Sequence, residues 1–411
     1  MQWKETTIGK HCTVTSSKRF HLSERSSEGI PFYCSKEIIQ KVSGQEITEC
    51  DFIRKELYED IKKQFGVPQT GDLLITTRGT YGVPYIYRDT DSFYFADGNL
   101  TWLKDFDEEL SPQYLYYWVK SYIGQKCFDA IAKGTAQKAV PISAIKQLEI
   151  MLPPISIQHK IADILSAYDD LLENNQKQIK LLEEAAQRLF KEWFVDLRFP
   201  GHEKTPIMDG VPEGWKNKTL PEVFSFVRGK SYTSKELSDT HGSIMINLKN
   251  IRPFGGYNRN AEKRFVGKYK KEQALKAGDV IMGVTDMTKE RRLVGHVALV
   301  PDLQDEMTFS MDLIKLIPKC ISRYFLYSTM FFGGFSSKIS PLANGVNVLH
   351  LKPETMNHLK MLVPSGPVIK MYDDWFDPMY KKIEVLENQI ANLQEARDRL
   401  LSKLMGGEME V

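Results

Sequence analysis

Two stretches of this chain repeat their apolar residues in alternating steps of three and four, and no other feature constrains the fold as tightly. In the first stretch the repeating positions are Leu165, Tyr168, Leu172, Asn175, Ile179, Leu182, Ala186, Leu189 and Trp193. In the second they are Phe376, Met379, Ile383, Leu386, Ile390, Leu393, Arg397, Leu400 and Leu404, each one 211 residues after its counterpart. Such spacing, held over about four heptads, predicts a long helix with a coiled-coil seam. Asn175 and Arg397 interrupt both seams and are expected to fix register or bind a partner. Asp377 is expected to cap the second helix, with Pro378 in its first turn, where a missing N–H costs nothing. A short helix near 157–165 is expected to precede the first long one.

The repeat extends beyond the helices. Leu148-Glu149-Ile150-Met151-Leu152-Pro153-Pro154 and Leu359-Lys360-Met361-Leu362-Val363-Pro364-Ser365 both read as short strands stopped by proline. Trp3-Lys4 matches Trp215-Lys216, Gly71-Asp72-Leu73-Leu74-Ile75 matches Gly278-Asp279-Val280-Ile281-Met282, and Tyr114-Leu115-Tyr116 matches Tyr324-Phe325-Leu326. Collinear matches of this kind indicate a duplicated plan of module, helix, module, helix. The expected fold class is α+β: two α/β modules in tandem at 1–152 and 197–364, separated by helical regions at 153–196 and 365–411. The matching stripes are expected to cover each other as an antiparallel coiled coil, giving an internal pseudo-two-fold repeat. A helix of about 27 residues spans roughly 40 Å, close to one turn of B-DNA at about 34–36 Å.

The net charge of +2 conceals a division. Residues 155–194 carry five basic and seven acidic side chains, and 368–411 carry six and nine, leaving a surplus of about +7 for the rest. Basic modules on acidic helices suggest an anionic partner for the modules. The five cysteines form no CxxC pair, which suits reduced thiols in a cytoplasm and argues against zinc or a disulfide framework. No apolar run is long enough to span a bilayer, so no membrane partner is expected.

Catalytic signatures are missing. Leu152-Pro153-Pro154-Ile155 lacks the polar residue and aromatic of an amino-methyltransferase loop. Gly229-Lys230-Ser231 has Phe224 where a P-loop needs glycine, and His202-Glu203 continues as Lys204-Thr205-Pro206 rather than HExxH. No G-x-S-x-G elbow occurs. The chain is therefore expected to be non-catalytic and metal-free.

Candidate DNA-reading residues lie in basic loops. Residues 249–276 hold Lys249, Arg252, Arg259, Lys263 and Arg264 around the polar loop Gly255-Gly256-Tyr257-Asn258-Arg259-Asn260. Arginine and asparagine there suit guanine and adenine edges, and lysines suit phosphates. Lys289-Glu290-Arg291-Arg292 follows the Gly278-Asp279 strand, and Asn347 follows Gly345. In the first module, Arg78, Thr80 and Tyr81 sit in a glycine-flanked loop after the equivalent strand. Lys18 with Arg19, and Lys133, Gln137 and Lys138, complete the set. The run Tyr114-Leu115-Tyr116-Tyr117-Trp118 reads as core.

Leu152-Pro153-Pro154-Ile155-Ser156-Ile157-Gln158-His159-Lys160-Ile161-Ala162-Asp163-Ile164-Leu165-Ser166 is similar to the central conserved region of specificity subunits of type I restriction–modification systems. The run from Leu181-Leu182-Glu183-Glu184 to Trp193-Phe194-Val195-Asp196 continues that likeness, and 392–408 resembles the family's C-terminal conserved region. The resemblance implies two target recognition domains, each reading half of a bipartite, asymmetric site in double-stranded DNA. It implies two docked modification subunits carrying S-adenosylmethionine for adenine N6 methylation, and a restriction subunit using ATP and Mg. No cofactor is implied for this chain, and the location is cytoplasmic. Ile157 stands where an acidic residue is usual, and Ile369 takes the place of the glutamine at Gln158. Two other readings remain: a coiled-coil scaffold whose modules bind proteins, and a fused methyltransferase–recogniser enzyme.

Overall fold

A computed structural model describes residues 3–135, 138–259 and 261–411. They form two compact units, Met1–Asn175 with Gln389–Val411, and Gln176–Asn388. The division cuts across the four consecutive segments expected from sequence, because each unit takes one module, the start of one long helix and the end of the other.

In the first unit, Lys4–Thr7 pairs antiparallel with Glu149–Leu152, Lys4 opposite Leu152. A four-stranded antiparallel sheet runs in the order Thr13–Thr15, Leu100–Lys104, Leu73–Thr76 and Pro84–Ile86. A second sheet orders Arg25–Ser26, Asp51–Ile53, Ile30–Tyr33 and Tyr94–Phe95, the last pair parallel. The strand Leu73–Thr76 is buried throughout, since alternate side chains enter different cores. Leu73 and Ile75 pack with Tyr114, Trp118 and Phe128, whereas Leu74 packs with Tyr85, Phe95 and Trp102. The aromatic run is core as expected: Ser111 caps the helix Pro112–Lys120, which buries Tyr114, Leu115, Tyr117 and Trp118.

The second unit follows the same strand order. Lys216–Thr219 pairs with Lys360–Val363, and a sheet orders Phe224–Arg228, Leu313–Pro318, Val280–Gly283 and Val297–Leu299. Its other sheet has five strands, Ala274–Leu275 adding one edge. The turns before the two central strands coincide in detail. Gly71 and Gly278 both hold positive φ, a conformation that glycine adopts without a Cβ penalty. Asp72 Oδ2 accepts from Gln69 N at 2.8 Å, as Asp279 Oδ2 accepts from Lys276 N at 2.9 Å.

The long helices are Ile155–Phe190, ending in a π-helical turn at Lys191–Val195, and Gly366–Met405. Two boundary expectations are corrected. The short helix expected near 157–165 is not a separate element, because the first long helix is continuous from Ile155. Pro378 is not at a helix start but inside 40 residues of helix, and Asp377 is no cap, pairing instead with Lys381 at 2.6 Å and accepting from the Tyr324 hydroxyl. Ring packing overrides the proline: Phe376 stacks on Tyr372 before it and on Tyr380 after it, at 5.7 and 6.3 Å.

Helix contacts within each unit run in opposite chain order. In the first unit Leu165 shares a core with Leu401 and Leu404, Arg397 pairs with Asp169, and Asn175 Nδ2 donates to Gln389 Oε1 at 3.4 Å. In the second, Ala186, Phe190 and Trp193 pack with Val368, Tyr372 and Phe376. Of the seam positions Leu165, Leu172, Asn175, Ala186, Trp193, Phe376, Leu386 and Leu404 are buried. Tyr168, Ile179, Leu182, Leu189, Met379, Ile383, Ile390, Leu393 and Leu400 are half-buried. Gln158 and its counterpart Ile369 differ as their chemistry requires. Gln158 is fully buried, accepting from Ser111 N at 2.9 Å and donating to the carbonyls of Glu109 and Pro153. Ile369 simply joins an apolar core.

Candidate DNA interface

The loop after Leu73–Thr76 is turned by Gly79 and Gly82, both at positive φ. It is bound to a distant segment: Gly79 N donates to Lys138 O at 3.2 Å and Val140 N to Thr77 O at 2.8 Å, while Lys133 and Ala139 exchange two bonds of 2.8 Å. The fold therefore gathers Arg78, Thr80, Lys133 and Lys138 onto one exposed surface. Tyr81 is half-buried, its hydroxyl donating to Asp129 at 2.7 Å. Gln137 lies outside the described residues. Arg19 is exposed beside Lys18, whose ammonium stands 3.6 Å from Glu24 and 5.7 Å from the Phe20 ring centre.

The second unit builds the same frame from different residues. Thr285–Asp286 pairs with Leu349–His350, and Leu351 N donates to Val284 O at 2.8 Å. Asp286 organises the loop and is fully buried. Its carboxylate accepts from the amides of Thr288, Leu293 and Val294 at 2.7, 2.6 and 3.1 Å, and from the Thr288 hydroxyl at 2.7 Å. Burial raises its pKa, but these donors outweigh burial and leave it below the usual carboxylate value. The loop presents exposed Met287, Lys289 and Arg292 beside exposed Val346 and Asn347. Arg292 lies 3.7 Å from Glu290. Arg291 turns back, at positive φ, to donate to Ser340 O at 3.1 Å. Sequence reasoning passed over Asp286, an acid at the start of a basic loop; the Thr285-Asp286-Met287-Thr288 turn chemistry was its signal.

The 249–264 cluster is not one basic surface. Arg252 Nη2 stands 3.3 Å from Glu183 and 3.8 Å from Glu387. Arg259 donates to Glu387 Oε2 and Asn388 Oδ1, both at 2.9 Å. Both guanidiniums thus engage acids of the long helices. Burial raises the pKa of Glu183, with Arg252 opposing and Glu387 adding to it. Arg264 pairs with Asp305 and donates to Gly242 O. Asn258 donates to Lys249 O at 2.8 Å, closing the loop on itself, while Lys249 and Lys263 stay exposed. Asn260 lies outside the described residues. Among the described residues no cluster of metal-ligating side chains forms, and no helix is long and apolar enough to cross a membrane.

Comparison with known proteins bears on the family and the fold. The type I restriction modification DNA specificity domain matches residues 1–184 and again 212–395. The MjaIX specificity subunit of Methanocaldococcus jannaschii is 27% identical over 319 residues, covering 73% of this chain and 69% of that protein. The HindI specificity subunit of Haemophilus influenzae is 21% identical, with 99% of both chains covered. The crystal structure of the type I restriction–modification S subunit from M. genitalium shares the fold at a TM-score of 0.63 and 18% identity, over 98% of this chain and 96% of that one. With the domain matched twice, once across each module and into the helix that follows, this chain belongs to the specificity-subunit family of type I restriction–modification systems.

Proposed function

We propose that this chain reads a bipartite, asymmetric site in double-stranded DNA, one half with each unit, and takes no part in catalysis itself. The observation that carries this reading is the pair of loop frames, equivalent in backbone and different in side chains. One offers Arg78, Thr80, Lys133 and Lys138, and the other Lys289, Arg292 and Asn347. A shared frame with different polar groups suits two readers of different sequences. Arg252 and Arg259 are assigned to holding their loop against the helices. On this reading the helices form an antiparallel coiled coil, the repeat arose by duplication, and the coil sets the spacing of the half-sites. Two modification subunits carrying S-adenosylmethionine dock on the helices, whose exposed Leu171, Leu181, Trp375 and Val385 suit such contacts. A restriction subunit adds ATP- and Mg-dependent steps.

The test is methylome sequencing of cells expressing this chain with its modification subunit. A two-part motif with a fixed spacer is expected, and lengthening both helices by one turn should change the spacer while leaving each half intact. A purified complex should bind DNA with a steep salt dependence. Salt-insensitive binding without a two-part motif would favour the protein-binding scaffold, and methyl transfer by the chain alone would favour the fused enzyme.

A further inference from the structure

The two units differ at one corner where the repeat predicts likeness. In the second unit, Trp215 is buried beneath residues that follow the first long helix. The Phe199 ring lies 5.0 Å from its indole and Phe194 6.0 Å, all three within one core. Trp3 holds the matching position in the first unit, just before the strand Lys4–Thr7, but is only half-buried. The matching helix end supplies Met405, Gly406 and Gly407, and the Trp3 ring lies 3.5 Å from the point where a Cβ on Gly407 would sit. Beside Trp3 is a groove of about 580 Å³, lined by Ile123, Met151 and Met405 with Glu5 and Glu149. Ile123 and Met151 are exposed there.

The charges differ too. Glu5 and Glu149 are exposed at this groove, whereas Asn217 and Lys360 stand at the equivalent points of the second unit's strand pair. The segment that covers Trp215 reads Leu197-Arg198-Phe199-Pro200-Gly201-His202-Glu203-Lys204, an aromatic ring flanked by basic side chains. The second unit thus shows one form of cover for a tryptophan at this position, and the two carboxylates of the first unit favour a basic flank on what covers Trp3.

We propose that the groove beside Trp3 is a docking site for a partner polypeptide that inserts an aromatic side chain flanked by basic residues, as Phe199 covers Trp215. An indole with an open face and apolar neighbours gains from covering by another ring, and the rim carboxylates steer a basic flank. This inference is independent of the DNA reading.

The probe is a synthetic peptide of residues 197–204, titrated into the full chain by calorimetry with indole fluorescence alongside. Saturable binding of one peptide per chain is expected. Glu149→Lys, a change at an exposed position, should weaken it at least tenfold, and a peptide with Phe199→Ala should not bind. Trp3→Ala in the chain should also abolish binding; circular dichroism checks its folding, and Glu149→Lys serves if it does not fold. No saturable binding to the unaltered chain overturns the proposal. So does binding that survives both Glu149→Lys and the loss of the peptide's ring.

Discussion

The guanidinium of Arg397 donates to the carboxylate of Asp169 across 2.8 Å, joining the second long helix to the first where an apolar seam would otherwise continue. Lys120 approaches the same carboxylate at 3.4 Å, and the Tyr117 hydroxyl donates to it at 3.0 Å. Burial raises the Asp169 pKa, but Lys120, Arg397 and Tyr117 outweigh burial and hold it below the usual carboxylate range. An unfolded aspartate titrates near ~3.9. The stabilisation is therefore complete above that pH and is lost as pH falls through the lower folded value. Arg397→Ala should cost about 2 kcal/mol at neutral pH. In denaturant melts the loss should shrink in acid; a difference that is constant with pH would contradict the ion pair.

Pro378 leaves the carbonyl one helical turn before it without its usual amide. An interior proline costs about 3 kcal/mol, offset in part by the unfolded-chain entropy it removes. Pro378→Ala should therefore stabilise the protein by about 2 kcal/mol, read as a raised thermal midpoint. An unchanged or lowered midpoint would show that the aromatic stack around it requires the proline.

Asp286 ties four donors of one loop to a single buried carboxylate. Asp286→Ala should cost about 2–4 kcal/mol in local stability. It should also erase recognition of one half-site, leaving the other half of the methylation motif intact. Loss of both halves in methylome sequencing would mean that the substitution unfolds more than its own loop.

Arg259 and Arg78 should separate cleanly. Arg259→Ala removes the nearer of the two arginine partners of Glu387, so a stability loss of about 1–3 kcal/mol, read as a lowered thermal midpoint, is expected with unchanged motif preference. Arg78→Ala should leave stability alone and weaken DNA binding. If Arg78 meets a phosphate, the salt slope should fall by about one. If it meets a base, one motif position should relax. The reverse assignment of effects would sink this division.

Much of the architecture was legible because helices and buried strands announce themselves locally. The 3-4 spacing located both long helices, and the Gly-Asp turns located the central strand of each module. Boundaries were less legible. Pro378 and Asp377 carry the local chemistry of a helix start, and only the stacked Tyr372, Phe376 and Tyr380 rings reveal why the helix runs through. The site was legible in part. Arg78 and Lys138 lie 60 positions apart in sequence, and their loops meet through backbone hydrogen bonds that no local pattern encodes.

The sequence by itself determined the repeat, the helices, the strand-proline junctions and the family, since each depends on residue types at short or fixed spacing. Tertiary structure alone decided how each charged side chain is used. Arg259 and Arg292 look alike in a string of letters, yet one is held between two helix residues and the other remains exposed. The physical reason is that a charge acquires its role from the acids, amides and solvent around it, and those neighbours come from segments far along the chain.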